Sequence, residues 1–225
     1  MIKEYPVITI LGPTATGKTH IAVRAAAELD GEIISADSRQ VYRRMDIGTG
    51  KDISEYAYNG NPVPFHLIDI VEPGVKYNVY RYQQEAFKAI QNIRSRNKQV
   101  IICGGSGLYI EAVLQGYRFK FQEDQQILSD PVSSVLFGLR GNRDLIRSRI
   151  TQRLEARLNE GMIDEIKALL DSGVDSENLI RYGLEYKFVT LYLLGEISYD
   201  EMFQQLNTAI HQFSKRQMTW FSRME

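Results

Sequence analysis

The sequence predicts an α/β fold: a parallel sheet flanked by helices, followed by a helical C-terminal part. Three observations predict it. Apolar runs rich in β-branched residues recur at 6–11, 32–36, 65–70, 99–103 and 135–139. Helix-period segments separate several of them, as in Val79, Tyr82, Ala86, Ile90 and Ile93, and strands alternating with helices favour a parallel sheet covered on both faces. From about Asn142 onward the pattern is almost purely helical, with Ile146, Ile150, Leu154 and Leu158 on one stripe and Met162, Ile163, Ile166, Leu169 and Leu170 on the next. The boundaries expected are an α/β core over 1–140 and a helical part over 141–225 packed on it. The weakly patterned stretch 117–134 reads as a connection.

The first strand runs into Gly12, Pro13, Thr14, Ala15, Thr16, Gly17, Lys18 and Thr19, which match G-x-x-x-x-G-K-[ST]. A helical pattern built on Ile21, Ala22, Ala25 and Leu29 follows directly. Strand, glycine-rich loop and helix N-terminus in that order make a phosphate cradle, and they specify the core as P-loop NTPase-like. Gly12 and Gly17 allow the tight backbone path, Lys18 reaches phosphate oxygens, and the Thr19 hydroxyl is the expected Mg²⁺ ligand. The loop alone names neither the phosphate nor the bond that breaks.

The second strand, 32–36, delivers Asp37 to the carboxyl edge of the sheet, where ligands sit in open α/β folds. A carboxylate there can orient Mg²⁺, take a proton from an attacking group, or simply cap a turn. The strand at 65–70 carries His66 and Asp69, read as structural. After the strand at 99–103 comes CGGSG, whose glycines permit either close approach of a ligand or a plain turn. In the helix beyond Asn142, Arg149, Arg153 and Arg157 recur every four residues on one stripe, which suits a solvated face or an anion site. Near the C-terminus, Lys215, Arg216 and Gln217 lie among Phe213, Trp220 and Phe221, a mixture that suits RNA backbone and base contact.

Several of these segments together resemble the tRNA dimethylallyltransferases. They are GPTATGKT, ISADSRQVYRRMDIGTGK (34–51), HLIDIVEP (66–73), CGGSGLYIEAVLQGY (103–117), RITQRLEARLNEGMIDEI (149–166), GLEYK (183–187) and KRQMTWF (215–221). The resemblance implies carbon transfer: dimethylallyl diphosphate in the phosphate loop, an adenine N6 attacking the allylic carbon, and diphosphate leaving. It makes Asp37 the general base and puts Thr19, Lys18 and Arg153 on the diphosphate, with Mg²⁺ as cofactor and the tRNA anticodon stem-loop as partner. Ser38, Arg39, Gln40, Ser106, Arg181, Tyr182 and Gly183 are then expected on the RNA side, together with Lys215, Arg216 and Gln217, while Arg157 is read as surface. The helical insertion usual in the family between the glycine-rich segment and the arginine helix is largely missing here. Transfer to AMP, a small-molecule kinase and an inactive RNA-binding remnant are the alternatives.

Composition fits this reading. With 225 residues, 44% hydrophobic and 24% charged, the chain excludes a disordered or rod-like architecture. Lys and Arg number 27 against 28 acids, so basic character is local: six arginines fall between Arg140 and Arg157 against Asp144 and Glu155. One cysteine, Cys103, forms no internal disulfide, and with no apolar stretch of spanning length and no leader a cytoplasmic monomer is expected.

Overall fold

A computed structural model describes residues 5–119 and 131–224. Strands β1 (Val7–Leu11) and β2 (Gly31–Ala36) are joined by helix α1 (Lys18–Glu28). A small antiparallel hairpin follows, β3 (Ala57–Tyr58) with β4 (Asn61–Pro62), and then β5 (Phe65–His66). Helix α2 (Val79–Ser95), strand β6 (Gln99–Gly104), helix α3 (Gly107–Leu114) and strand β7 (Ser134–Gly138) complete the α/β part. The five-stranded sheet has the order β5-β2-β6-β1-β7, and every pair in it is parallel. Its central strands are buried on both faces, which is why they read as unbroken apolar runs.

Helices α4 (Arg143–Asn159), α5 (Met162–Asp171), α6 (Ser176–Tyr182), α7 (Leu184–Leu193) and α8 (Tyr199–Phe221) form the helical part. A capping box between Ser198 and Glu201 starts α8. The two parts share their cores. Val41, Tyr42, Met45 and Val71 join Ile150, Leu154, Ile166, Tyr186 and Leu206 in one cluster, and Phe221 of α8 packs with the sheet-side cluster of Ile102, Tyr109 and Ile110. The loops at the carboxyl edge of the sheet are thereby held between sheet and helices. Among the described residues no helix is long and apolar enough to cross a membrane.

Three expectations are corrected. The strand expected over 65–70 pairs only at Phe65 and His66, because Leu67 and Asp69 take φ values of 63° and 56° that turn the chain out of the sheet. The buried face of α1 is Ala22, Val23 and Ala26; of the expected pattern Ile21, Ala22, Ala25 and Leu29 only Ala22 is buried, and Ile21 and Leu29 are 42% and 50% exposed. Small side chains on the buried face let the helix lie close on the sheet. Arg157, read as surface, is largely covered, with only 11% of its side chain accessible, and stands against Glu185 of α7 at the cavity wall. Most of the connection at 117–134 lies outside the described residues.

Candidate active site

The phosphate loop leaves β1 and enters α1 through Ala15 and Gly17, both left-handed at φ 62° and 78°. Thr16 Oγ1 donates to the Pro13 carbonyl at 2.8 Å, closing the loop on itself. The loop is also held from outside. Thr14 N donates to Gln217 Oε1 at 2.9 Å, and Gln217 Nε2 donates to the Gly105 carbonyl at 2.9 Å. A Cβ at position 105 would collide with that amide, so the second glycine of CGGSG is a close-approach glycine. Gln217, expected on the RNA, is buried and has its amide engaged on the loop instead.

Lys18 folds back over the loop, its Nζ donating to the Pro13 carbonyl at 3.2 Å. Burial lowers its pKa, Asp37 and Cys103 oppose that shift, and the Arg153 charge adds to it. A half-buried ammonium with no carboxylate in hydrogen-bond contact is a cation poised for an anionic ligand.

Asp37 follows β2 at the same edge. Its Oδ1 accepts from Arg39 N at 2.8 Å and Gln40 N at 3.4 Å, so the carboxylate does cap the turn that follows it. Both of these bonds fall on one oxygen, and the residue lines the cavity beside Lys18 and Thr19. Capping the turn does not take the side chain out of the cavity. Ser106 Oγ accepts from Ser38 N at 3.0 Å, and Ser35 Oγ donates to Gln40 Oε1 at 3.0 Å, so β2 and the residue that opens α3 together hold the 37–40 turn. The Arg39 guanidinium lies over the Tyr182 ring, 5.6 Å from its centroid.

These groups open onto one cavity of about 500 Å³. Thr14, Lys18 and Thr19 line it from the phosphate loop, and Asp37, Ser38, Arg39, Gln40 and Ser106 from the strand ends. From the helical part come Arg153, Tyr182, Gly183, Arg216 and Gln217. Gly12, Pro13, Ala15, Thr16 and Gly17 shape the loop backbone without lining the cavity. Two expected RNA residues lie elsewhere: Arg181 is exposed and paired with Glu177, and Lys215 borders a separate groove with Arg143, Arg147 and His211.

Sequence reasoning missed the buried pair beneath the arginine stripe. Arg157 Nη1 stands 3.7 Å from Glu185 Oε1, and Arg157 Nη2 is buried with no hydrogen-bond partner. Burial and the neighbouring Arg153 both disfavour the Arg157 cation, while burial raises the pKa of Glu185 against the pull of Arg157. The four-residue spacing from Arg153 was the visible signal, but burial is set by where α7 lies. Also missed was Lys51, whose Nζ is buried between the Tyr42 carbonyl and the carboxylates of Asp46 and Asp69. That contact, with the Glu32–His66 pair at 2.7 Å, gives Asp69 and His66 the structural roles expected of them. Cys103 reaches the cavity as a neutral thiol, its pKa pushed up to about 12 by burial.

Among the described residues no three His, Cys, Asp or Glu side chains cluster to hold a metal. Thr19 and Asp37 on one cavity wall suit a different arrangement, since Mg²⁺ is commonly carried by substrate phosphates and water with one or two protein ligands.

Fold and loop together define an α/β protein with a phosphate-loop motif, whose cavity faces a helical half. The family model described as IPP transferase matches residues 40–131 and 118–224. The tRNA dimethylallyltransferase 1 of Parabacteroides distasonis is 46% identical over 277 aligned positions, covering 100% of this chain and 90% of that protein. The tRNA dimethylallyltransferase 2 of Phocaeicola vulgatus is 45% identical with the same coverage. Among solved structures, the tRNA isopentenylpyrophosphate transferase of Bacillus halodurans superposes with a TM-score of 0.86 at 30% identity, over 97% of this chain and 87% of that one. A eukaryotic dimethylallyltransferase acting on tRNA shares the fold, with a TM-score of 0.82 at 19% identity over 96% of this chain and 70% of that one. The chain belongs to the IPP transferase family. This chain of 225 residues aligns with the P. distasonis protein over 277 positions, so that protein carries residues this chain lacks, and the two family-model matches overlap at 118–131.

Proposed function

We infer that this chain is a tRNA dimethylallyltransferase that moves a dimethylallyl group from dimethylallyl diphosphate to N6 of the adenosine next to the anticodon. The observation that carries the reading is the convergence of phosphate loop, Asp37 and Arg153 on one cavity within a chain of this family. Bond accounting assigns the roles. The N6 lone pair forms the new N–C bond as the allylic C–O bond breaks, and diphosphate leaves with that electron pair. Asp37 takes the N6 proton. Lys18, Arg153 and the loop N–H groups face the charge that grows on the departing oxygen, so they stabilise the transition state more than the ground state.

Mg²⁺, when bound, would neutralise the diphosphate, with the Thr19 hydroxyl as its protein ligand. The 37–40 turn, carrying Ser38, Arg39 and Gln40, holds the acceptor base, with Tyr182 beneath Arg39 and Arg216 lining the same cavity from α8. Incubation with Mg²⁺, dimethylallyl diphosphate and either unmodified tRNA or AMP, followed by mass spectrometry of the nucleosides, tests this. N6-dimethylallyladenosine in the tRNA alone is the expected product. Product on AMP would reassign the acceptor, and no product in either tube would overturn the reading.

A further inference from the structure

We propose that Glu165, on α5 and away from the chemistry, is a positioning residue that sets the register between the leaving group and the acceptor base. The inference rests on the transferase reading above. One carboxylate gathers four hydrogen bonds. Its Oε2 accepts from Asp46 N at 2.8 Å and Ile47 N at 2.7 Å, and its Oε1 accepts from Gly48 N at 3.1 Å and the Tyr186 hydroxyl at 2.8 Å. Three consecutive backbone donors in a loop are thus oriented by a single side chain from another element. Tyr186 closes the arrangement from the far side, because its ring packs so tightly on Gly48 that a Cβ there would come within 2.8 Å of the ring.

The segment held in this way ends at Gly50, which touches both halves of the site. The Gly50 carbonyl accepts from Gln40 Nε2 at 3.3 Å, on the acceptor side. Its α-carbon seats the guanidiniums of Arg153 and Arg157, and a Cβ at this position, where φ is +61°, would collide with both. Gly50 N is bonded back to the Ile47 carbonyl at 3.1 Å and Lys51 N to the Asp46 carbonyl at 3.0 Å, so the turn moves as a unit with the residues Glu165 holds. A displacement of that unit shifts Gln40 and Arg153 relative to one another, while the phosphate loop and Asp37 are held by other bonds. Misalignment of two bound reactants costs rate more than affinity.

Glu165→Gln replaces one acceptor oxygen by a donor facing backbone N–H groups. The expected signature is a fall in kcat of about tenfold or more with the affinities for pyrophosphate, by calorimetry, and for an anticodon stem-loop RNA, by fluorescence anisotropy, each within about threefold of wild type. Tyr186→Phe removes one of the four bonds without disturbing packing and should reproduce the pattern at smaller amplitude, keeping the assignment testable should Glu165→Gln fail to fold. Leu169→Ala, a buried position on the same helix, serves as the stability control and should lower Tm with kcat per folded molecule unchanged. An active wild type whose Glu165 and Tyr186 variants behave like Leu169→Ala, or lose affinity for either ligand in proportion to kcat, overturns the assignment alone. A wild type that transfers nothing overturns the functional reading and the assignment with it.

Discussion

Asp37 caps its turn through Oδ1, and conservative substitution separates that role from the proposed general base. Asp37→Asn keeps an acceptor for Arg39 N but removes the base, so transfer should fall by about 10²–10⁴-fold with pyrophosphate affinity unchanged. Calorimetry beside single-turnover kinetics checks this; loss of pyrophosphate binding would move Asp37 from base to metal duty. Lys18 gives a pH prediction with a definite sign. Its pKa is lowered by burial in the free protein, and a diphosphate supplies the missing negative charge. Binding should take up a proton at alkaline pH, and affinity for pyrophosphate should weaken as pH rises toward the lowered lysine pKa, beginning below the ordinary lysine range. Calorimetry in buffers of different ionisation enthalpy measures that uptake. Lys18→Met should remove the lysine's part of both, leaving the titration of pyrophosphate itself. The Walker-type spacing made Lys18 legible from sequence. Its burial was not, because Cys103, Asp37 and Arg153 come from three separate elements.

At the scale of elements, the sheet edge depends on Glu32. This side chain of β2 accepts from Arg96 beyond α2 at 2.7 Å and pairs with His66 of β5 at 2.7 Å. Burial pushes its pKa up, but the bonds from Arg96 and His66 outweigh that and leave it lowered. A lowered carboxyl pKa stabilises the fold above the unfolded value and loses that contribution as pH falls through the folded one. Glu32→Gln should therefore destabilise by about 1–3 kcal/mol near neutral pH. The gap should close in acid, as denaturant titrations at several pH values would show. Helix α4 shows how far a period can be read. Its stripe Ile150 and Leu154 was visible and is buried, whereas the neighbouring arginines diverge: Arg149 is exposed, Arg153 enters the cavity and Arg157 borders it with most of its side chain covered. Their spacing is uniform, and only the placement of α7 distinguishes them.

For the whole molecule, net charge is −1 and two of the residues expected on RNA, Arg181 and Lys215, sit away from the cavity. RNA binding should then depend on few phosphate contacts and show a shallow slope of affinity against salt. Inserting the residues by which the P. distasonis protein exceeds this chain in their alignment should tighten stem-loop binding and steepen that slope, leaving pyrophosphate affinity unchanged. Anisotropy titrations over a salt series measure both effects. An unaltered slope would mean that the RNA is gripped by the surface already present.

The sequence by itself determined the parallel α/β core, the phosphate loop, the turn bearing Asp37 and the arginine helix, because each follows from local periodicity or from a motif whose residues are contiguous. The tertiary structure decided what depends on distant segments meeting. It placed Gln217 on the phosphate loop, Arg157 against Glu185, Lys51 between two carboxylates and Glu165 on the 46–48 backbone. Each of these pairs a charged or amide side chain with a partner many residues away, and burial of such a group requires that partner. A hydrophobic period shows which face turns inward; it carries no record of which polar group will be waiting there.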